Sequence, residues 1–200
     1  MLRTFMLAAA LLAATTLAAS AQKKYGPGVS DTEIRIGQTM PYSGPVSFYG
    51  IEGRAQAAYF RKVNEAGGVN GRKITLISLD DAFSPPKTVE ATRRMVEQDV
   101  VLFTFSSIGT AAQTAVQKYL YSKKVPQLFL SAGASKWNDP KNFPWTTPIL
   151  ALYSTEAEIF ARYLLETKPD AKVGILMQND DSEKTSSPAS NAPWVIRPRR

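Results

Sequence analysis

The chain has 200 residues, with 24 Lys+Arg against 17 Asp+Glu, a formal net charge of +7, no cysteine and no histidine. Without cysteine there are no disulfides, no thiolate metal sites, no cysteine nucleophile and no lipid-anchored lipoprotein form. Without histidine the usual Ser/His and Cys/His nucleophile systems and the commonest metal ligand are gone. The positive charge does not mark a nucleic-acid partner. Arg3, Lys184, Arg197, Arg199 and Arg200 supply five of the cations and Glu183 one of the acids, all near the two ends. The stretch between retains 19 Lys+Arg against 16 Asp+Glu, a net +3 in scattered pairs such as Lys23-Lys24 and Arg93-Arg94. No dense basic run with interleaved aromatics appears.

Residues 1–21 have the layout of a secretory signal peptide: Arg3, an apolar run from Phe5 to Ala19, and the small-residue site Ala19-Ser20-Ala21 before Gln22. The run is shorter than the roughly 20 residues a membrane helix needs. Cleavage and a periplasmic mature chain are expected.

Beyond the signal, strands and helices alternate. Ile34 to Met40 reads as a strand feeding the turn-rich Pro41-Tyr42-Ser43-Gly44-Pro45. From Gly50 to Ala66, Ala55, Ala58, Tyr59 and Val63 recur at helical spacing, and Gly67-Gly68 closes the helix. Asn70-Gly71 turns into a second strand, Ile74 to Leu79. After Asp80-Asp81, Pro85-Pro86 starts a helix through Val89, Met95 and Val96. Val100 to Phe105 is a near-continuous apolar strand, suited to a parallel sheet covered on both faces. Ser106-Ser107-Ile108-Gly109-Thr110 opens the next helix, through Ala111, Ala115 and Leu120, and Val125 to Leu130 is the next strand. Ser131 to Pro148 reads as one long loop, followed by a helix over Ser154–Glu166 and a strand over Val173–Met177. This alternation predicts an α/β fold with a parallel sheet and right-handed crossovers. Ligands of such sheets bind outside the carboxyl ends of the strands, which here means loops 41–50, 106–110 and 131–135.

Ser106-Ser107-Ile108-Gly109-Thr110 joins a strand to a helix start, where free amides and hydroxyls suit a carboxylate or other anion. Alternatively Ser107 or Thr110 simply caps the helix. No Gly-Lys-Ser/Thr follows, so no nucleotide P-loop is expected. The small residues of Ser131-Ala132-Gly133-Ala134-Ser135 let a ligand approach backbone groups, or make an ordinary tight turn. Tyr42, Phe48 and Tyr49 are pocket-wall aromatics or core packing. Asp80-Asp81 could hold Mg²⁺ or accept a phosphoryl group, or could serve only loop hydrogen bonding and helix charge. No cofactor is expected.

Several segments in order carry a family resemblance: Ile36-Gly37 through Ser43-Gly44-Pro45 with Tyr49-Gly50, and Val63-Asn64-Glu65-Ala66-Gly67-Gly68-Val69-Asn70-Gly71-Arg72-Lys73. Asp80-Asp81 with Pro86-Lys87-Thr88-Val89, Val125 to Phe129, and Lys172 to Asp181 complete the set. Across about residues 30–181 the chain resembles periplasmic substrate-binding proteins of ABC importers, of the branched-chain amino-acid (Leu/Ile/Val) type. The resemblance implies a type I periplasmic-binding-protein-like fold in which two α/β lobes close on a ligand. It further implies a small solute, an amino acid or similar carboxylate, and an ABC permease complex in the inner membrane as partners. No catalysis is implied. Ser106, Ser107, Gly109 and Thr110 would receive the ligand carboxylate. Ala132, Gly133 and Ala134 would offer backbone groups, and Tyr49 would wall the side-chain pocket. Where many relatives carry Thr or Ser in line with Ala134, this chain has a methyl group, which leaves amino-acid specificity open. The tyrosine and acid that anchor the amino group in relatives belong to the second lobe.

The implied organisation is a signal peptide over 1–21, an incomplete first lobe over 22–148, the start of a second lobe over 149–181, and a non-homologous tail over 182–200. The tail has no apolar period, contains Pro188, Pro193 and Pro198, and ends in Arg199-Arg200. A reading frame shifted one base earlier after Asp181 can encode the continuation the resemblance implies, so a frameshift is expected there. With the second lobe mostly missing, weak or absent ligand affinity is expected. Alternative readings are a sensor domain of the same fold, and a metal-dependent enzyme using Asp80 and Asp81.

Overall fold

The structure is a computed structural model and describes residues 25–174. It contains a five-stranded, wholly parallel sheet in the order β2-β1-β3-β4-β5. The strands are β1 (Glu33–Met40), β2 (Lys73–Asp80), β3 (Thr104–Phe105), β4 (Gln127–Leu130) and β5 (Thr146–Pro148). The helices are α1 (Gly50–Glu65), α2 (Pro85–Glu97), α3 (Thr110–Ser122) and α4 (Tyr153–Thr167), with short 3-10 turns at Ser47–Tyr49 and Ser135–Trp137. Among the described residues no helix is long and apolar enough to cross a membrane.

Alternation along β1 assigns the two faces. Gln38 bonds to Gln56 of α1, and Met40 packs beside Gly53 of the same helix. Gly37 lies against Met95 of α2, and Thr39 accepts a bond from Gln113 of α3. Successive side chains of a strand point to opposite faces, so α1 covers one side of the sheet and α2 with α3 the other. The α2/α3 side holds the main apolar core of Met95, Val101, Val116, Leu120 and Val125, backed by Ile77 and Leu79. On the α1 side, Phe60, Phe105 and Phe129 form an edge-to-face row with centroids 5.5 and 5.8 Å apart, and Phe129 remains 45% exposed.

Two strand expectations change. The apolar run 100–105 enters the regular ladder only at Thr104 and Phe105. Val100 has φ +53°, which bends the chain, although Leu102 N–H still reaches the Arg35 carbonyl and Gly37 N–H the Phe103 carbonyl. The segment 131–148 is not one loop. It holds the turn at Ser135–Trp137 and the edge strand β5, three residues ending in proline, which suits an edge because proline cannot donate to the ladder. Trp137 is buried with Leu130, Ala132 and Ala134, and Tyr153 packs on them.

Of α4, Ala161 is buried, whereas Ile159, Phe160, Tyr163 and Leu165 are exposed. Val173 and Gly174 are not in a strand. The remainder of that expected strand, the signal peptide and the tail lie outside the described residues.

Candidate functional site

The three expected loops follow β1, β3 and β4, so the parallel register brings them to one end of the sheet. Ser106 and Ser107 leave β3 through a left-handed residue, Ser106 at φ +50°. A chain of polar groups holds that turn from the α1 side. Tyr42 Oη pairs with Ser78 Oγ at 2.7 Å, and Ser78 Oγ donates to Gln38 Oε1 at 2.8 Å. Gln38 Nε2 donates to Gln56 Oε1, and Gln56 Nε2 to Ser106 Oγ at 2.8 Å. Ser107 is buried, and its Oγ accepts the Thr39 N–H at 3.0 Å. A hydroxyl that accepts one bond still has a proton to donate.

Gly109 stands immediately before helix α3, at a φ of +97° that no other residue adopts comfortably, and no side chain caps the helix. Neither Ser107 nor Thr110 therefore serves as the helix cap. The first amides of a helix have no partner within it. Thr110, at the first helical position, is fully buried and its Oγ1 has no hydrogen-bond partner. An uncapped helix start with an unpartnered buried hydroxyl is an arrangement that accepts an anionic oxygen.

Ser131 binds this loop to β4: its N–H donates to the Ser107 carbonyl at 3.1 Å, and its carbonyl accepts the Gly109 N–H at 3.5 Å. Ala132 and Ala134 are fully buried, their methyl groups in the Trp137 cluster. The Gly133 carbonyl is taken by the Tyr153 N–H at 2.8 Å, and a Cβ on Gly133 would meet the Ala151 carbonyl oxygen at 2.3 Å. That crowding is why the position is glycine. The exposed hydroxyl in this loop belongs to Ser135. Tyr49 ends a 3-10 turn, lies tilted at 35° against the Phe48 ring with centroids 4.3 Å apart, and is 46% exposed. Tyr42 instead packs onto α1, its ring against Gly50 and Gly53.

Asp80 and Asp81 shape the neighbouring loop. Asp80 accepts the N–H groups of Tyr42, Ser43 and Ala82 and the Ser43 hydroxyl. Burial pushes its carboxyl up, but these donors outweigh it and hold it below the usual range. Asp81 is buried, accepting the Phe83 N–H at 3.0 Å and the Thr88 hydroxyl at 2.8 Å. Burial there wins and raises its carboxyl. Both carboxylates are occupied in fixing Ala82 and Phe83 in left-handed conformations, φ +50° and +59°. Among the described residues no group of three or more Asp or Glu side chains could hold a metal ion. The turn lays the Phe83 ring over Gly109. Phe83, Gln56 and Glu52 are site neighbours without a sequence signal, because each acts across the fold rather than along a period.

The parallel sheet with helices on both faces is one α/β lobe, its strand-end loops gathered at one end. Residues 33–194 match the family described as periplasmic binding protein, and the chain belongs to that family. Leu/Ile/Val-binding protein BraC3 of Rhizobium johnstonii is 28% identical over 150 residues, 74% of this chain and 40% of that protein. An amino acid binding protein of Pseudomonas aeruginosa is 39% identical over 70 residues, 34% of this chain and 18% of that protein. Among solved structures, a possible leucine/isoleucine/valine-binding protein from Rhodopirellula baltica superposes with a TM-score of 0.71 at 22% identity, covering 82% of this chain and 44% of that one. A substrate-binding periplasmic protein from Ralstonia solanacearum gives a TM-score of 0.60 at 29% identity, covering 68% and 38%. The chain thus spans less than half the length of each of these relatives. The type I periplasmic binding protein fold is present, with one lobe represented, and the family is one of binding proteins rather than enzymes.

Proposed function

We propose that this chain is the carboxylate-receiving lobe of an extracytoplasmic solute-binding protein that delivers a branched-chain amino acid, or a related small carboxylate-bearing solute, to an ABC permease complex in the inner membrane. The observation that carries the reading is the uncapped start of α3, where Gly109 and the buried, unpartnered Thr110 hydroxyl follow Ser107 in the loop that leaves β3. The names of the curated relatives, Leu/Ile/Val-binding and amino acid binding, agree with a ligand that carries a carboxylate. In this reading residues 1–21 are an export signal, 22–148 the first lobe and 149–181 the start of a second lobe.

Two-lobed closure turns binding into a shape a permease can read. One lobe offers half the contacts, so affinity is weak, with a Kd on the order of 1 mM or above. The test is an amide-resolved NMR titration of the chain after signal removal with L-leucine and with 4-methylpentanoate. Saturable shifts centred on Ser107, Gly109 and Thr110 support the proposal. Tight micromolar binding, or shifts confined to another region, sinks it.

A further inference from the structure

Glu52 lies in the first turn of α1, where an acid ordinarily serves its own helix. Here it does not. No side chain caps α1, and Glu52 reaches across to β4, its Oε1 accepting the Ser131 hydroxyl at 3.1 Å. Its Oε2 is covered by protein and has no hydrogen-bond partner. Among the described residues no ion pair involves Glu52, and Arg54, two residues on, lies over the Tyr42 ring. A carboxylate has about four acceptor positions, and Ser131 fills one. Because the terminal torsion of Glu is soft, either oxygen can turn outward.

Ser131 is the same residue whose N–H and carbonyl tie down Ser107 and Gly109. One residue therefore joins a fixed negative charge to the anion-accepting start of α3. A ligand bearing only a carboxylate meets attraction at α3 and repulsion from Glu52. A ligand that also bears an ammonium group satisfies both. We propose that Glu52 is a specificity-determining residue that accepts the ammonium group of a zwitterionic ligand within this lobe. The inference rests on the reading of α3 as the carboxylate site.

The experiment compares L-leucine with 4-methylpentanoate, which keeps the carboxylate and the branched chain but lacks the amine, on the full chain and on Glu52→Gln. The expected result is that leucine binds about tenfold tighter than 4-methylpentanoate to the parent chain, the difference one charge-assisted hydrogen bond makes. Glu52→Gln, nearly isosteric, brings the two ligands within about twofold. Equal binding of the two ligands to the parent chain, or a leucine preference that survives Glu52→Gln, overturns the role of Glu52 and leaves the carboxylate site standing. Absence of saturable binding by either ligand overturns the carboxylate site, and the role of Glu52 with it.

Discussion

The Phe83 ring rests on Gly109: a Cβ built on that glycine would meet Phe83 Cε2 at 2.7 Å. The contact exists because Asp80 and Asp81 hold Ala82 and Phe83 in left-handed turns, and because Gly109 itself has φ +97°. Gly109→Ala therefore meets a forbidden backbone region and a ring at once. It is expected to cost about 1–3 kcal/mol of stability. It also displaces the amides at the start of α3. Urea unfolding with an unchanged m-value measures the first effect, and loss of carboxylate binding measures the second.

Ser107→Ala removes the acceptor for a buried backbone donor. The Thr39 N–H has the Ser107 hydroxyl as its partner at 3.0 Å, in a place water does not reach. A loss of about 1–3 kcal/mol is expected, the usual cost of an orphaned buried donor. Hydrogen exchange at Thr39 checks the mechanism: its protection should fall by more than that of Leu79, which lies in β2.

Ala134→Thr will not return a hydroxyl to the site. The Ala134 methyl is fully buried against Trp137 and Leu130, so a larger polar side chain overpacks that cluster at about 1–3 kcal/mol. Ser135 is exposed beside it. Ser135→Ala should leave the melting temperature nearly unchanged while weakening leucine binding. A stable Ala134→Thr chain with improved binding would contradict this account.

Asp80 carries the pH prediction. Its carboxyl lies below the usual range in the folded chain because of the Ser43, Ala82 and Tyr42 donors. A lowered folded value contributes stability above the unfolded pKa, near 3.9, and that contribution is lost as the pH falls through the folded value. Asp80→Asn should thus melt below the parent at pH 7, and the gap should narrow below about pH 4. Asp81, raised by burial, acts with the opposite sign: its ionisation weighs against the fold above its folded pKa and is relieved as pH falls. Thermal melts from pH 3 to 7 follow the Asp80 difference directly.

Much of the fold was legible from periodicity. The helices begin and end within a residue or two of their expected positions, because α1, α2, α3 and α4 carry apolar or small residues at helical spacing. Strands β1 and β2 followed from alternation and from the Asn70-Gly71 turn. Apolar character persists from Val100 and predicts a longer strand than β3, because the left-handed backbone at Val100 has no mark in residue type. Strand β5 leaves no sequence signal, because three residues closing on Pro148 have no period to detect. The rule that ligands gather at carboxyl strand ends singles out three loops, and the parallel order sets them at one end of the sheet; the side chains that reach them from elsewhere in the fold leave no such mark.

The order of amino acids by itself determined the alternation of strands and helices, the parallel sheet it demands, and the three loops at one end. It also carried the segments that mark the family. Those are local properties, set by spacing of a few residues and by the conformations glycine and proline permit. The tertiary structure alone decided that Glu52 meets Ser131 across 79 positions of chain, and that Ala134 faces the core while Ser135 faces outward. It also decided that Phe83 lies on Gly109. Such pairings depend on strand order and on left-handed turns held by distant hydrogen bonds, and no repeat along the chain records them.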